Sequence, residues 1–105
     1  YKFAVKAMCD SSKKAMSLAG VQPSDIAAVL PHQANIRIIK SAISKLGIEE
    51  KKYHSNISEF GNTSSASIPM LLHKILDEKT VKTGDLVLMS GFGAGLTYGA
   101  IVFRI

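Results

Sequence analysis

The sequence predicts a single α/β domain in which helices pack on a mixed β-sheet. Two short apolar runs, residues 26–30 and 86–90, have the composition of strands that are buried on both faces. Amphipathic helical patterns precede and separate these runs, and a final segment rich in β-branched and aromatic residues, 96–105, has the composition of a last strand. Helices that alternate with strands, followed by two consecutive strands, indicate a sheet with both parallel and antiparallel pairs.

The first helix is predicted from residues 3 to 19, because apolar side chains recur there on one helical face. These apolar residues are Val5, Met8, Cys9, Ala15, Met16 and Ala19. Gly20 is a suitable C-terminal cap, since glycine adopts the left-handed conformation without strain. The first strand should end at Pro31, which has no amide hydrogen to donate to a neighbouring strand.

A second helix is predicted from Asn35 to Leu46, with Gly47 as its stop signal. Its inward positions are expected to be Ile36, Ile39, Ile43 and Leu46. Residues 52–56 are expected to add a short strand. Thr63 or a neighbouring serine should then cap a third helix. The apolar positions of this third helix are Ile68, Leu71, Leu72, Ile75 and Leu76.

Composition narrows the choice of partner and compartment. Thirteen basic and eight acidic side chains give the 105 residues a formal charge of +5, which favours an anionic partner such as a nucleic acid, membrane surface, phosphorylated cofactor or acidic protein. Nucleic acid is not predicted, because no interleaved basic and aromatic stripe or helix-turn-helix signature is present. No run reaches the about 18 apolar residues of a membrane span, so no membrane association is predicted. The single cysteine fits a reducing compartment, and we expect a cytoplasmic protein.

Two turns between a predicted strand and a predicted helix carry the candidate chemistry. Residues 31–35 supply His32, and residues 61–67 supply Asn62. Both side chains donate hydrogen bonds of the kind that hold negative charge on an oxygen, yet neither turn contains a nucleophile. The structural alternatives are a histidine that is satisfied at a strand end and an asparagine that serves as a turn or cap residue.

The glycine-rich segment 91–95 follows a strand and invites comparison with a phosphate-binding loop. The G-x-G-x-x-G pattern is incomplete, because Leu96 and Tyr98 occupy the third glycine positions in the two registers. A strand-like segment also follows, where a phosphate site needs the start of a helix. The alternatives are a tight connection between two strands and a turn whose backbone N–H groups serve an oxyanion.

Other reactive side chains have plainer explanations. His32, His54 and His73 lack the spacing of metal ligands, so we predict no metal site. Cys9 lies on the apolar face of the first helix, where burial suppresses the thiolate, and we predict that it is not a nucleophile.

Taken together, segments 31–37, 61–69 and 91–99 resemble the C-terminal part of β-ketoacyl-acyl-carrier-protein synthase III, the initiating condensing enzyme of dissociated fatty acid synthesis. The resemblance covers essentially all of residues 1–105. It implies the C-terminal half of a thiolase-like fold, in which two α/β halves meet around one active site. It also implies that the N-terminal half, with the catalytic cysteine, is absent from this sequence, so that the fragment alone should be inactive.

The resemblance also implies roles for individual residues in catalysis. By matching motifs, His32 is the catalytic histidine and Asn62 the catalytic asparagine. The backbone N–H of Ala94 corresponds to an oxyanion donor for the acyl thioester. The family usually has glycine there, and an alanine keeps the N–H.

Substrates and partners follow from the same resemblance. Asn35 corresponds to a residue that contacts the pantetheine arm, and Arg37, with the neighbouring Lys40, to a dock for the acidic acyl carrier protein. Acyl-CoA and malonyl-carrier protein are the implied substrates, without a further cofactor, in a homodimer. Two other functions stay open: a related condensing enzyme of specialised polyketide- or quinolone-like metabolism, and a non-catalytic module that binds an acidic protein.

Overall fold

The computed structural model describes residues 2–32, 35–61, 66–93 and 97–105 of the chain. Within these ranges the helices are α1 (Lys2–Ala19), α2 (Ile36–Leu46), α3 (Ile57–Phe60) and α4 (Ser67–Asp77), and the strands are β1 (Ile26–Pro31), β2 (Leu86–Gly93) and β3 (Thr97–Arg104). Short 3₁₀ turns cover Pro23–Asp25 and Glu50–Lys52. None of the helices in this described part is long and apolar enough to cross a membrane.

The three strands form one mixed sheet with β2 in the centre. β1 pairs with β2 in parallel, up to the pair of Pro31 and Ser90. β3 pairs with β2 antiparallel, and their register closes at the pair of Gly93 and Thr97. The predicted α/β class with a mixed sheet is therefore confirmed.

The strand predicted at residues 52–56 is wrong. The segment enters from the 3₁₀ turn Glu50–Lys52 and touches the outer edge of β1 at a single bridge between Val29 and Tyr53. The His54 amide donates to the Val29 carbonyl over 3.1 Å. Most side chains in this segment are polar, and only Tyr53 packs on the apolar core, so little favours a longer pairing.

Both faces of the sheet are covered. Helices α1 and α2 pack on one face, where the buried residues include Met8, Ala42, Val29 and Leu88. Helix α4 packs on the other face, where the buried residues include Leu71, Ile75, Ala28, Leu30 and Val87. Successive residues of β1 and β2 point to opposite faces, which explains why these strands are continuous apolar runs.

Helices α2 and α4 differ in detail from the prediction, α2 in its buried residues and α4 at its start. The buried residues of α2 are Ile38, Ile39, Ala42 and Leu46. Ile36 is 39% exposed and Ile43 half-buried, because both lie at the flank of this stripe. Helix α4 begins at Ser67 with Ala66 in the N-cap position and no hydrogen bond from the Ala66 side chain. The predicted caps, Thr63 and the serines at 64 and 65, lie outside the described residues.

Candidate active site

His32 directly follows β1 at the carboxyl edge of the sheet. Pro31 ends the strand, but the backbone stays attached to the centre of the sheet, because the His32 amide donates to the Ser90 carbonyl over 2.8 Å. The carboxyl ends of parallel strands are where α/β proteins commonly place their sites. The backbone of His32 is thus anchored to a rigid element.

Two contacts fix the imidazole ring of His32. Its Nδ1 lies 2.9 Å from the hydroxyl oxygen of Ser67, the first residue of α4. Its ring meets Phe92 edge to face, with centroids 5.2 Å apart and planes at 85°. These partners come from two other elements, α4 and β2, so the position of the ring depends on the tertiary fold.

The environment of His32 favours the neutral ring. The side chain is half-buried, and burial lowers its pKa below the ordinary value of 6.5. A neutral imidazole has one N–H donor and one acceptor nitrogen. At pH 7 the ring can therefore donate a hydrogen bond to an oxygen without bringing a full positive charge.

The predicted catalytic Asn62 and the predicted oxyanion residue Ala94 lie outside the described residues. The structure does bring the flanking parts of two motifs together, because Ser67 at the end of segment 61–67 contacts His32. The glycine-rich segment joins the antiparallel strands β2 and β3. This connectivity agrees with a tight strand connection and excludes a phosphate loop that opens a helix.

The residues predicted to bind substrate lie at the start of α2. Asn35 occupies the N-cap position, and its side-chain oxygen accepts a hydrogen bond from the Arg37 amide over 2.8 Å. Arg37 and Lys40 have exposed side chains. Asn35 is thus oriented by the helix that it caps, close in sequence to His32.

A basic groove runs between α1 and α2. Its volume is about 610 Å³. The lysines that line it are Lys2, Lys6, Lys13 and Lys45. Lys6 forms an ion pair with Asp10, and both side chains are exposed to solvent. The sequence did not single out this groove, because its lysines come from two helices that only packing brings together.

Cys9 and the remaining histidines have no place at this site. Cys9 is 4% exposed, its sulfur lies 3.8 Å from the Ala42 carbonyl, and burial raises the pKa of its thiol. These observations support the prediction that Cys9 is not a nucleophile. His54 is half-buried and His73 exposed. Among the described residues, no three His, Cys, Asp or Glu side chains are close enough to share a metal ion.

Sequence reasoning missed the roles of Ser67 and Phe92 around the histidine. Ser67 belongs to a motif that was recognised, but no pattern indicated that it contacts a residue 35 positions away. Phe92 lies inside the glycine-rich segment 91–95, where no sequence pattern indicated a contact with His32. The available signal was its place one residue after Gly91, on a strand whose neighbour ends at Pro31, directly before His32.

Comparison with known proteins identifies the family. Residues 16–105 match the family described as 3-oxoacyl-[acyl-carrier-protein (ACP)] synthase III C terminal. The chain therefore belongs to the family of synthase III C-terminal domains, as the motifs predicted.

Individual relatives agree with this assignment. The chain is 46% identical over 104 residues to the β-ketoacyl-[acyl-carrier-protein] synthase III of Aquifex aeolicus. The matched region covers 99% of this chain and 34% of the relative. The synthase III structure from Thermus thermophilus superposes with a TM-score of 0.96 at 43% identity, over 99% of this chain and 32% of that one. The chain thus spans about a third of the length of these relatives, and it has their α/β fold.

A second solved structure comes from a different metabolic context. The priming β-ketosynthase of the R1128 polyketide biosynthetic pathway matches with a TM-score of 0.93 at 35% identity, over 99% of this chain and 31% of that one. The same fold and related sequence therefore occur in a polyketide pathway.

Proposed function

We propose that this chain is the C-terminal half of a β-ketoacyl-acyl-carrier-protein synthase III and that its side chains stabilise the enolate formed during decarboxylation. The observation that carries this proposal is the neutral His32 at the sheet edge, with Nδ1 held by Ser67. Nε2 is then the ring nitrogen left for a substrate. Membership of the synthase III family supports the assignment.

The proposed reaction has two stages. A cysteine of the N-terminal half attacks the thioester of acyl-CoA, forms an acyl-enzyme and releases CoA thiol. The malonyl group on the carrier protein then loses CO₂, and the electron pair of the broken C–C bond forms an enolate of the thioester. The enolate carbon attacks the acyl-enzyme carbonyl, a C–C bond forms, and the cysteine thiolate leaves.

The residue types suit the charge that develops. Loss of CO₂ places negative charge on the thioester oxygen, to which His32 and Asn62 both donate hydrogen bonds. A carboxylate in either place would repel the malonate and the enolate. Each such donor typically accounts for about 10²–10³ in rate. The N–H of Ala94 would serve the second oxyanion, on the acyl thioester.

The exposed basic side chains support the partner that membership of the family suggests. The acidic carrier protein docks on the exposed Arg37 and Lys40 and on the basic groove beside them, and Asn35 contacts the pantetheine arm. Acyl-CoA and malonyl-carrier protein are the substrates, and no further cofactor takes part. The full protein works as a homodimer in the cytoplasm, with this chain as its C-terminal domain.

The test uses the full-length protein that contains this chain. Malonyl-carrier decarboxylation is measured in the wild type and in the His32→Ala and Asn62→Ala variants, with the fold of each checked by circular dichroism. We expect each variant to lose about 10²–10³ in rate, because each removes one oxyanion donor. Decarboxylation retained in both variants would sink the assignment.

A second candidate is a condensing enzyme of specialised metabolism, which the similarity to the priming β-ketosynthase favours. The same two donors would act, with another acyl donor or acceptor. A panel of acyl-CoA donors and of carrier proteins from fatty acid and polyketide synthesis separates the two functions. A protein that binds carriers and condenses nothing would instead be the non-catalytic module.

A further inference from the structure

The contact between Ser67 and His32 is buried at its serine end. Ser67 is 1% exposed, and its hydroxyl oxygen lies 2.9 Å from Nδ1 of His32. This is the distance of a well-formed hydrogen bond. Because bulk water does not reach the Ser67 hydroxyl, water does not compete with the His32 ring for this hydrogen bond.

The direction of this hydrogen bond decides which ring nitrogen carries the proton. A serine hydroxyl can donate or accept, and a neutral imidazole has one nitrogen of each kind. Among the hydrogen bonds of the described residues, the Ser67 hydroxyl takes part in one, with the His32 ring. If the hydroxyl only accepted there, its own buried hydrogen would lack an acceptor among those residues, which is unfavourable. Donation from Ser67 to Nδ1 satisfies both groups.

We propose that Ser67 is a positioning residue, whose hydroxyl donates to Nδ1 of His32 and keeps the ring proton on Nε2. The edge-to-face contact with Phe92 fixes the plane of the His32 ring. The hydrogen bond from Ser67 fixes which ring nitrogen carries the proton. The catalytic use of the Nε2–H rests on the proposed function. The tautomer itself does not, because it follows from the contact alone.

Ser90 provides a matched control. It is also a buried serine, 2% exposed, and its backbone carbonyl accepts the His32 amide. Its hydroxyl has no hydrogen-bond partner among the described residues. Ser90→Ala therefore removes a buried hydroxyl beside the histidine and leaves the Ser67 contact in place.

The decisive experiment is ¹⁵N NMR of the full-length protein labelled at histidine, because protonated and bare ring nitrogens give well-separated signals. We expect the His32 proton on Nε2 in the wild type and in Ser90→Ala, and a mixture of both tautomers in Ser67→Ala. A wild-type proton on Nδ1, or a Ser67→Ala spectrum that matches the wild type, would overturn the proposal. A wild-type proton on Nδ1 would overturn the proposal even where Ser67→Ala fails to fold.

Kinetics supply the second readout. Ser67→Ala should lower kcat for decarboxylation by roughly three- to tenfold, the typical effect of one neutral hydrogen bond, without raising KM. A rise in KM at unchanged kcat would contradict a positioning role. If the wild type has the predicted tautomer but does not decarboxylate malonyl thioesters, the proposed function fails and the role of Ser67 in fixing the tautomer stands.

Discussion

At the scale of single residues, the proposed chemistry depends on how His32 is held. Three elements restrain it. His32 directly follows β1, and β2 supplies the Ser90 carbonyl, which accepts its amide, and the ring of Phe92. Helix α4 supplies the hydroxyl of Ser67. Burial favours the neutral ring, and the serine contact assigns different roles to its two nitrogens. A side chain that donates to a developing oxyanion needs this combination of neutral charge and fixed orientation.

The two half-buried histidines, His32 and His54, predict how stability depends on pH. The pKa of His32 is lowered by burial, and that of His54 by burial and by Lys74, with a smaller opposing effect of Glu78. As pH falls through the unfolded value of 6.5, the unfolded chain takes up protons before the native one does. The free energy of unfolding should therefore decrease from pH 7.5 to pH 5.5.

Urea unfolding at several pH values checks this expectation. His32→Gln and His54→Gln should each reduce the pH dependence, because each removes one group whose pKa differs between the two states. Stability that stays constant or rises on acidification over this range would contradict the lowered pKa values.

At the scale of elements, the start of α2 combines a structural task with the proposed binding task. The side-chain oxygen of Asn35 caps the helix by accepting from the Arg37 amide. Asn35→Ala should lower the free energy of unfolding by about 0.5–2 kcal/mol, the usual cost of losing an N-cap. Asn35→Asp keeps the acceptor and should retain most of the stability.

The same pair of variants separates capping from substrate contact. Stability is read from urea unfolding, and substrate binding from the KM for pantetheine thioesters in the full-length protein. If Asn35→Asp preserves stability but raises KM, the amide contacts the substrate. Equal stability of Asn35→Ala and the wild type would show that the cap observed here contributes little.

The elements differ in how far the sequence could predict them. Strands β1 and β2 were predictable because both faces are buried and their apolar runs are continuous, and α1 and α2 because glycines end their amphipathic patterns. Segment 52–56 was predicted wrongly. Its polar side chains give it little strand propensity of its own, and it pairs with β1 only at the bridge between Val29 and Tyr53. The Ser67–His32 contact was beyond prediction, because it arises from the packing of α4 against β1.

At the scale of the whole molecule, the exposed basic residues of α2 follow His32 in the chain and lead to the basic groove. His32 follows β1 and precedes α2, whose exposed Arg37 and Lys40 continue toward the basic groove between α1 and α2. An acidic carrier protein bound on this surface would lie close to the sheet edge that holds the histidine. The lysines that line the groove concentrate positive charge there, which is the physical basis of the proposed attraction for an acidic partner.

Charge reversal tests this docking surface. Arg37→Glu and Lys40→Glu should raise KM several-fold for carrier-bound malonate at low ionic strength, because attraction becomes repulsion. The effect should shrink as added salt screens the exposed charges. KM for malonyl-CoA should change less.

Lys82→Glu is the matched control for these variants. Lys82 is exposed and precedes β2, at the opposite end of the sheet from His32, so the same change of charge falls far from the proposed dock. An equal rise in KM for carrier-bound malonate in Lys82→Glu would mean that the net charge of the protein, and not the proposed docking surface, determines binding.

The central claim is that this half of the protein stabilises the enolate and does not activate the nucleophile. The most direct measurement compares the two half-reactions in the full-length His32→Ala variant: acyl transfer from acyl-CoA to the enzyme, followed by mass spectrometry, and release of CO₂ from malonyl-carrier protein. We predict acyl transfer close to the wild-type rate and decarboxylation lowered by about 10²–10³. Undiminished decarboxylation, or loss of acyl transfer to the same extent, would contradict the claim.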